Sequence, residues 1–228
     1  MDNTLRLRYL DAMGITVWVP RTSEQSTPPT ICGVPADGSE LPANNSWSAL
    51  QTEVANCTKC KLCATRIQTV FGTGNKEADW LLIGEAPGQH EDEQGKPFVG
   101  NAGLLLTEMI RALGLTREAV FITNIIKCRP PTNRDPHVDE VASCNGYLQQ
   151  QISMIKPKII LAIGRIAAQT LLNTDAPLAR LRGKAHRVNN IPVVVVYHPA
   201  YLLRSLPEKR KAWQDLQLAM QTVKESED

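Results

Sequence analysis

Long apolar runs are missing from this 228-residue chain. None approaches the ~20 consecutive apolar residues that a helix needs to span a bilayer. The opening MDNTLRLRYLDAMG has none of the apolar stretch that a secretory signal carries. The expectation is a cytoplasmic protein with no membrane partner. A strong net charge is missing too: 25 Lys and Arg against 23 Asp and Glu leave +2. That balance neither demands nor excludes a nucleic-acid partner, so local basic clusters matter more than the sum. No internal repeat is present, which excludes a repeat architecture. Phenylalanine is scarce, with three in the chain, so one placed in a loop calls for an explanation. Cysteine is scarce as well, six in all, yet three of them stand together in CTKCKLC, positions 57–63. In a reducing compartment such spacing points to metal or catalysis rather than to disulfides.

The rest of the composition, 43% hydrophobic and 21% charged, is that of an ordinary globular protein. The length allows one α/β domain and an extension. Residues 1–46 read as the extension: a short periodic piece, a β-prone stretch, then RTSEQSTPPTICGVPADGSELPANNS, a linker composition. The domain is placed at 47–228, opening where SWSALQTEVANC offers a serine cap and helical spacing. Four short, largely β-branched runs follow: Trp80–Gly84, Val120–Ile126, Ile159–Gly164 and Val193–His198. They suit strands buried on both faces. Helical spacing covers Ala102–Leu113, Asp139–Ile155 and Arg165–Leu172, and Glu208–Lys224 closes the chain. The alternation argues for a parallel sheet covered on both sides. Ligands of such sheets bind beyond the carboxyl ends of the strands. Three segments start at those ends: GEAPG, KCRPP and HPAYLLR.

The cysteine run does not complete a ferredoxin pattern, because Ile67 stands where the fourth cysteine would be. A zinc ribbon needs a second close pair, and Cys128 and Cys144 are far apart in sequence. The remaining arrangement brings Cys57 and Cys60 to Cys128 and Cys144 across the fold. Four thiolates suit zinc or an iron–sulfur cluster, and spacing leaves both open. Cys32 and Cys63 read as small buried hydrophobes.

GEAPG matches neither the dinucleotide nor the Walker pattern. The acidic residues behind it would repel a phosphate, and Asp92 and Glu93 read as a solvated face. Phe98 lies in a glycine-flanked turn, as a lid on the core or a stacking platform. KCRPPTNRDP and HPAYLLR are basic loops stiffened by proline. HPAYLLR exposes Tyr201, Leu202 and Leu203 together beside Arg204, the makeup of an apolar wedge that unstacks DNA. His198, at a strand end before Pro199, is a candidate functional histidine.

In order from Cys57 to Leu216, the segments CxxC, GEAPGxxED, GxPFVGxAGxLL, NxxKCRPPxNRxP, a later cysteine, LRG and HPAYLLR resemble the uracil-DNA glycosylase superfamily. Within it they resemble family 4, the iron–sulfur type. The resemblance implies a three-layer α/β/α fold around a central parallel four-stranded sheet. It implies a monomeric hydrolase that flips uracil out of DNA and breaks its N-glycosidic bond, leaving an abasic site. It also implies a 4Fe–4S cluster on Cys57, Cys60, Cys128 and Cys144, with Cys63 a bystander. By the same resemblance, Phe98 stacks on the uracil, Asn124 reads its N3–H and O4, and His198 bonds O2 and stabilises the departing anion. Backbone groups around Glu85, Ala86 and Pro87 line the pocket, and Glu91 closes its edge near C5 against a methyl group. Glu85 takes the place where other families carry the water-activating Asp or Asn. Arg129, Tyr201, Leu202, Leu203 and Arg204 are expected to hold the DNA. His186, in LRGKAHRV, is set against a covalent branch of the superfamily, but that branch has GEQPG where this chain has GEAPG. The rival class is a non-catalytic iron–sulfur protein, DNA-binding or electron-transfer, which would have no use for the Phe98, Asn124 and His198 pocket. Residues 1–46 lie outside the resemblance.

Overall fold

The computed structural model describes residues 46–225, so Cys32 and all but the last residue of the expected extension lie outside the described residues. The first described element is α1, Trp47–Ala55, whose cap is the serine expected from sequence: Ser46 Oγ accepts from the Ala49 N–H at 3.2 Å. Six strands follow, β1 (Thr73–Gly74), β2 (Trp80–Gly84), β3 (Phe121–Asn124), β4 (Ile159–Ile163), β5 (Ala185–Val188) and β6 (Ile191–Val196). They form one sheet in the order β1-β3-β2-β4-β6-β5. The inner four run parallel, while β1 and β5 pair antiparallel with β3 and β6 at the two edges.

The expected four-stranded parallel sheet is therefore corrected to a six-stranded mixed one with a parallel centre. The edge strands escaped the sequence for a physical reason. β1 has two residues, Thr73 and Gly74, with Gly72 and Gly74 at positive φ, and β5 is the polar AHRV with its outer side in solvent. Neither carries the apolar run of a strand buried on both faces. In contrast, every residue of β2 and β4 is buried.

Seven more helices complete the layers: α2 (Gln89–Gln94), α3 (Asn101–Ala112), α4 (Val138–Ile155), α5 (Arg165–Leu172), α6 (Leu178–Leu181), α7 (Pro199–Arg204) and α8 (Lys209–Glu225). Alternation along the strands sends Leu81, Ile83, Ile160 and Ala162 into one core with α1, α4 and α5. It sends Trp80, Leu82, Leu161 and Val194 into the other with α3, α7 and α8. HPAYLLR, expected as a loop, is the helix α7, with Pro199 in its first turn and His198 as its cap. Leu202 faces inward from it and is 1% exposed. The expectation that Leu202 and Leu203 form one exposed wedge is thereby corrected.

β3 lies on one side of β2 and β4 on the other, so the connections leaving β2 and β4 diverge. That divergence opens a crevice at their carboxyl ends, the usual place for a ligand in such sheets. No helix among the described residues is long and apolar enough to cross a membrane.

Candidate active site and cysteine corner

The crevice holds a cavity of about 640 Å³, within the range of small-molecule clefts. All four parallel strands contribute their ends to its wall. Glu85, Ala86 and Pro87 follow β2, Asn124 ends β3, Arg165 follows β4, and His198 follows β6. Glu91, Phe98, Tyr201 and Arg204 complete it among the residues expected from sequence, whereas Arg129, Leu202 and Leu203 are not on the wall.

Asn124 is 1% exposed, and its Oδ1 has no hydrogen-bond partner among the described residues. A buried amide oxygen without a partner is costly, so such an atom asks for a ligand. Gly84, opposite Asn124 in the ladder, permits the close approach. A Cβ there would run into Asn124 Oδ1 and come within 2.7 Å of the Phe98 ring. Phe98 itself is 7% exposed, and its ring lies 5.7 Å from that of His198 at an interplanar angle of 30°.

His198 Nδ1 accepts from the Ala200 N–H at 3.2 Å, which places the proton of the neutral ring on Nε2. Burial, aided by the Arg204 charge, pushes the His198 pKa down to about 4, so the ring is neutral at physiological pH. Glu85 moves the other way. Burial and then the Asp135 carboxylate push it up to about 7, against the pull of Arg165. Asp135 is itself held by Arg165, Nη2 to Oδ2 at 2.6 Å.

Glu91 spans two loops: Oε2 accepts from the Gly88 N–H at 3.1 Å and Oε1 from the Val99 N–H at 2.9 Å. Its carboxylate is thus a strut beside the cleft, tying the start of α2 to the Phe98 loop. Asp92 is corrected from a solvated face. It is 1% exposed and accepts from the Ile67 and Gln68 N–H groups at 3.0 and 3.3 Å. Glu93 is exposed, as expected.

On α7, Tyr201 and Leu203 face solvent and Arg204 is exposed at the cleft rim. Arg129 Nε donates to Asn133 Oδ1 at 2.7 Å, and Asn133 borders the cleft. His186 sits on β5 with Nε2 at 2.7 Å from the Leu181 carbonyl and lines a separate hollow.

Beside this end of the sheet, four cysteines gather from three segments. Cys57 and Cys60 follow α1, Cys128 follows β3, and Cys144 lies on α4. Burial pushes up the thiols of Cys60, Cys144 and Cys128, the last to about 12. Each also feels a neighbour's charge: Cys57 acts on Cys60, Cys144 on Cys128, and Cys57 on Cys144. Cys57, Cys60, Cys128 and Cys144 are free thiols. Arg66 feels Cys128, Cys57 and the half-buried Cys63 together. Arg66 Nη1 donates to Cys128 Sγ at 3.0 Å while Nη2 donates to the Cys57 carbonyl at 2.8 Å. The Lys127 N–H reaches Cys144 Sγ at 3.3 Å. Among the described residues no three His, Cys, Asp or Glu side chains are grouped to hold a single metal ion.

Sequence reasoning missed the supports. Lys127, inside KCRPP, is fully buried, with Nζ donating to Thr123 Oγ1 (2.7 Å), the Asn124 carbonyl (2.8 Å) and Gln151 Oε1 (2.6 Å). A lysine amid apolar residues just past a buried strand was the available signal. Arg182, in LRG, holds buried Asp215 and lies 3.9 Å from the Tyr197 ring centroid. Arg66 and Arg117 carry no local signal, because their partners are distant in sequence.

The sequence profile of the Uracil DNA glycosylase superfamily matches residues 71–217. The chain is 45% identical over 159 residues to the type-4 uracil-DNA glycosylase of Archaeoglobus fulgidus, covering 66% of this chain and 80% of that protein. It is 46% identical over 172 residues to the Saccharolobus solfataricus type-4 uracil-DNA glycosylase, covering 72% and 80%. With the Thermotoga maritima type-4 uracil-DNA glycosylase it shares 38% identity over 175 residues, covering 75% and 91%.

Proposed function

Because this chain belongs to the uracil DNA glycosylase superfamily and, within it, to the type-4 family, we propose that it excises uracil from DNA. It hydrolyses the N-glycosidic bond and leaves an abasic site. The observation that carries the reading is Asn124 Oδ1, without a partner among the described residues and buried at the cleft with Phe98 and His198 around the same cavity.

C1′ is out of reach in a stacked duplex, so the nucleotide flips into the cleft. Phe98 offers the flat apolar surface on which the base stacks. Asn124 Oδ1 accepts from uracil N3–H, and the amide nitrogen donates to O4. Cytosine presents the reverse pattern and would leave these buried atoms mismatched. His198, neutral and protonated on Nε2, donates to O2. As the N1–C1′ bond breaks, its electron pair moves onto the base, and that hydrogen bond stabilises the anion in a site shielded from water. Glu85, poised near neutrality, orients the attacking water and takes its proton as the water oxygen bonds C1′. Arg204 and Tyr201, at the rim, meet the strand around the flipped nucleotide, with Leu203 exposed beside them on α7 and Arg129 beyond.

Cys57, Cys60, Cys128 and Cys144 hold a 4Fe–4S cluster in this reading. The fit rests on the donor set. Four sulfurs come together from three segments and stand beside the cations Arg66 and Lys127. Four thiolates need such positive charge and a metal group to remain ionised in a buried corner. Bound, the cluster supplies a four-point crosslink between the segment after α1, the KCRPP loop and α4.

The test is a duplex carrying one uracil, incubated with the protein and then treated with alkali. Cleavage at the uracil position is expected. An intact strand, with or without protein bound to it, would return the chain to the non-catalytic class.

A further inference from the structure

We propose that Arg117 is a positioning residue for the base-stacking surface. Its guanidinium clamps the Pro97–Phe98 backbone and so fixes the Phe98 ring in the cleft. The inference rests on the reading of the cleft as a uracil pocket.

Arg117 lies in the connection between α3 and β3. Nη2 donates to the carbonyls of Pro97 and Phe98 at 2.6 and 2.9 Å, and Nη1 donates to Thr107 Oγ1 at 3.1 Å. Thr107 Oγ1 in turn donates to the Gly103 carbonyl at 3.0 Å. The guanidinium thus ties two successive carbonyls of the loop to the body of α3 through charge-assisted bonds.

The loop requires such a tie. Phe98 has φ 53°, a left-handed conformation that a bulky residue adopts when its surroundings enforce it. Phe98 also borders two cavities, the cleft on one side and a hollow lined by Lys96, Thr107 and Arg117 on the other. The loop is a thin wall with incomplete packing behind it, and side-chain bonds make up the difference.

Three constraints meet on this turn. Arg117 holds its carbonyls. Glu91 Oε1 accepts from the next amides, Val99 at 2.9 Å and Gly100 at 3.4 Å. Gly103, on the first turn of α3, lies so close that a Cβ there would collide with the Phe98 carbonyl. Of the three, Glu91 also borders the cleft, whereas Arg117 and Gly103 do not, so they act on the base through Phe98.

The test is a mutant cycle. Arg117→Met keeps the length of the side chain and removes the donors, Arg117→Lys restores a cationic donor, and Gly103→Ala displaces the Phe98 peptide from the opposite side. Uracil excision is read as kcat/KM alongside amide hydrogen exchange of Val99 and Gly100. Arg117→Met is expected to lower kcat/KM about 10²-fold, the scale of a reacting group misplaced by an ångström. Faster exchange of the two amides should accompany the loss, with partial rescue in Arg117→Lys. Gly103→Ala should fall in the same direction. In a Phe98→Ala background, Arg117→Met should add almost nothing, because the residue it positions is gone.

Equal losses with and without Phe98, or amides protected to the wild-type degree in Arg117→Met, would overturn the proposal. Should Arg117→Met fail to fold, Gly103→Ala and Arg117→Lys carry the same cycle to a decision. Wild-type protein inactive on uracil-containing DNA would instead sink the reading of the cleft. In that case the exchange measurement still decides whether Arg117 clamps the loop.

Discussion

The cleft and the cysteine corner lie at the same end of the sheet and share the segment Asn124–Cys128, yet they treat buried polar atoms in opposite ways. In the cleft, Asn124 Oδ1 is left without a partner among the described residues, and burial drives Glu85 up and His198 down toward their neutral forms. At the corner the sulfurs already have donors: Arg66 on Cys128, the Lys127 N–H on Cys144, and the Lys59 N–H 3.5 Å from Cys57. Between the two, Lys127 Nζ is matched by three acceptors. A group that meets a transient ligand stays short of partners in the free protein. Groups that hold a permanent one are oriented by outer partners that keep them in place.

The sharpest way to break this comparison is to remove one sulfur. Cys128→Ser should abolish iron binding and take most of the folded protein with it, because the proposed cluster would tie three segments together. Cys63→Ser should keep both. Iron content and visible absorbance of protein purified without oxygen decide it, with about four irons expected in the wild type. Stoichiometric zinc in place of iron would keep the contrast between the sites and overturn the cluster.

Removing the orphan atom should have the reverse profile. Asn124→Ala should slow uracil excision by roughly 10³-fold, since a site built on hydrogen bonds suffers most when one partner is lost. Its melting temperature should hold or rise, because an unsatisfied buried acceptor is deleted. A variant that melts early but excises uracil at the normal rate would make Asn124 a structural residue.

Glu85 sharpens the electrostatic side. With its pKa raised to about 7, kcat/KM should climb as pH rises through that value and the carboxylate forms. Glu85→Gln should lower the rate about 10²-fold and flatten the climb. The stability sign is the opposite. The folded state binds this proton more tightly than the unfolded chain, so the associated stability is full below the ordinary carboxylate range and is lost as pH rises through about 7. Glu85→Gln should therefore be the more stable protein at pH 8. A wild-type profile flat across neutrality would remove Glu85 from proton transfer.

The smallest contrast lies within α7. Leu202→Ala should cost about 2–5 kcal/mol of stability as a core truncation. Leu203→Ala should stay within about 0.5 kcal/mol and slow excision from paired DNA more than from single strands. Equal slowing on both substrates would deny Leu203 any part in opening the duplex.

Much of this architecture was written locally. The inner strands announced themselves as β-branched runs, α5 occupies the span its spacing predicted, Arg165–Leu172, and GEAPG, KCRPP and HPAYLLR all follow carboxyl ends of the parallel strands. Other features could not be read along the chain. Asp92 is polar in any window of sequence, and it is buried because Ile67 and Gln68 arrive from elsewhere with amides to be met. Leu202 and Leu203 look alike until α7 turns one onto α8's core and leaves the other in water.

By itself, then, the sequence determined what repeats over a few residues: strand, helix and cap. Only the tertiary structure decided which single polar side chains are matched and which are left open. The partners of Arg66 and Arg117, and Gln151 among those of Lys127, come from segments that the fold alone brings within hydrogen-bond reach. A buried donor is specified by where the chain returns, and no local period records that.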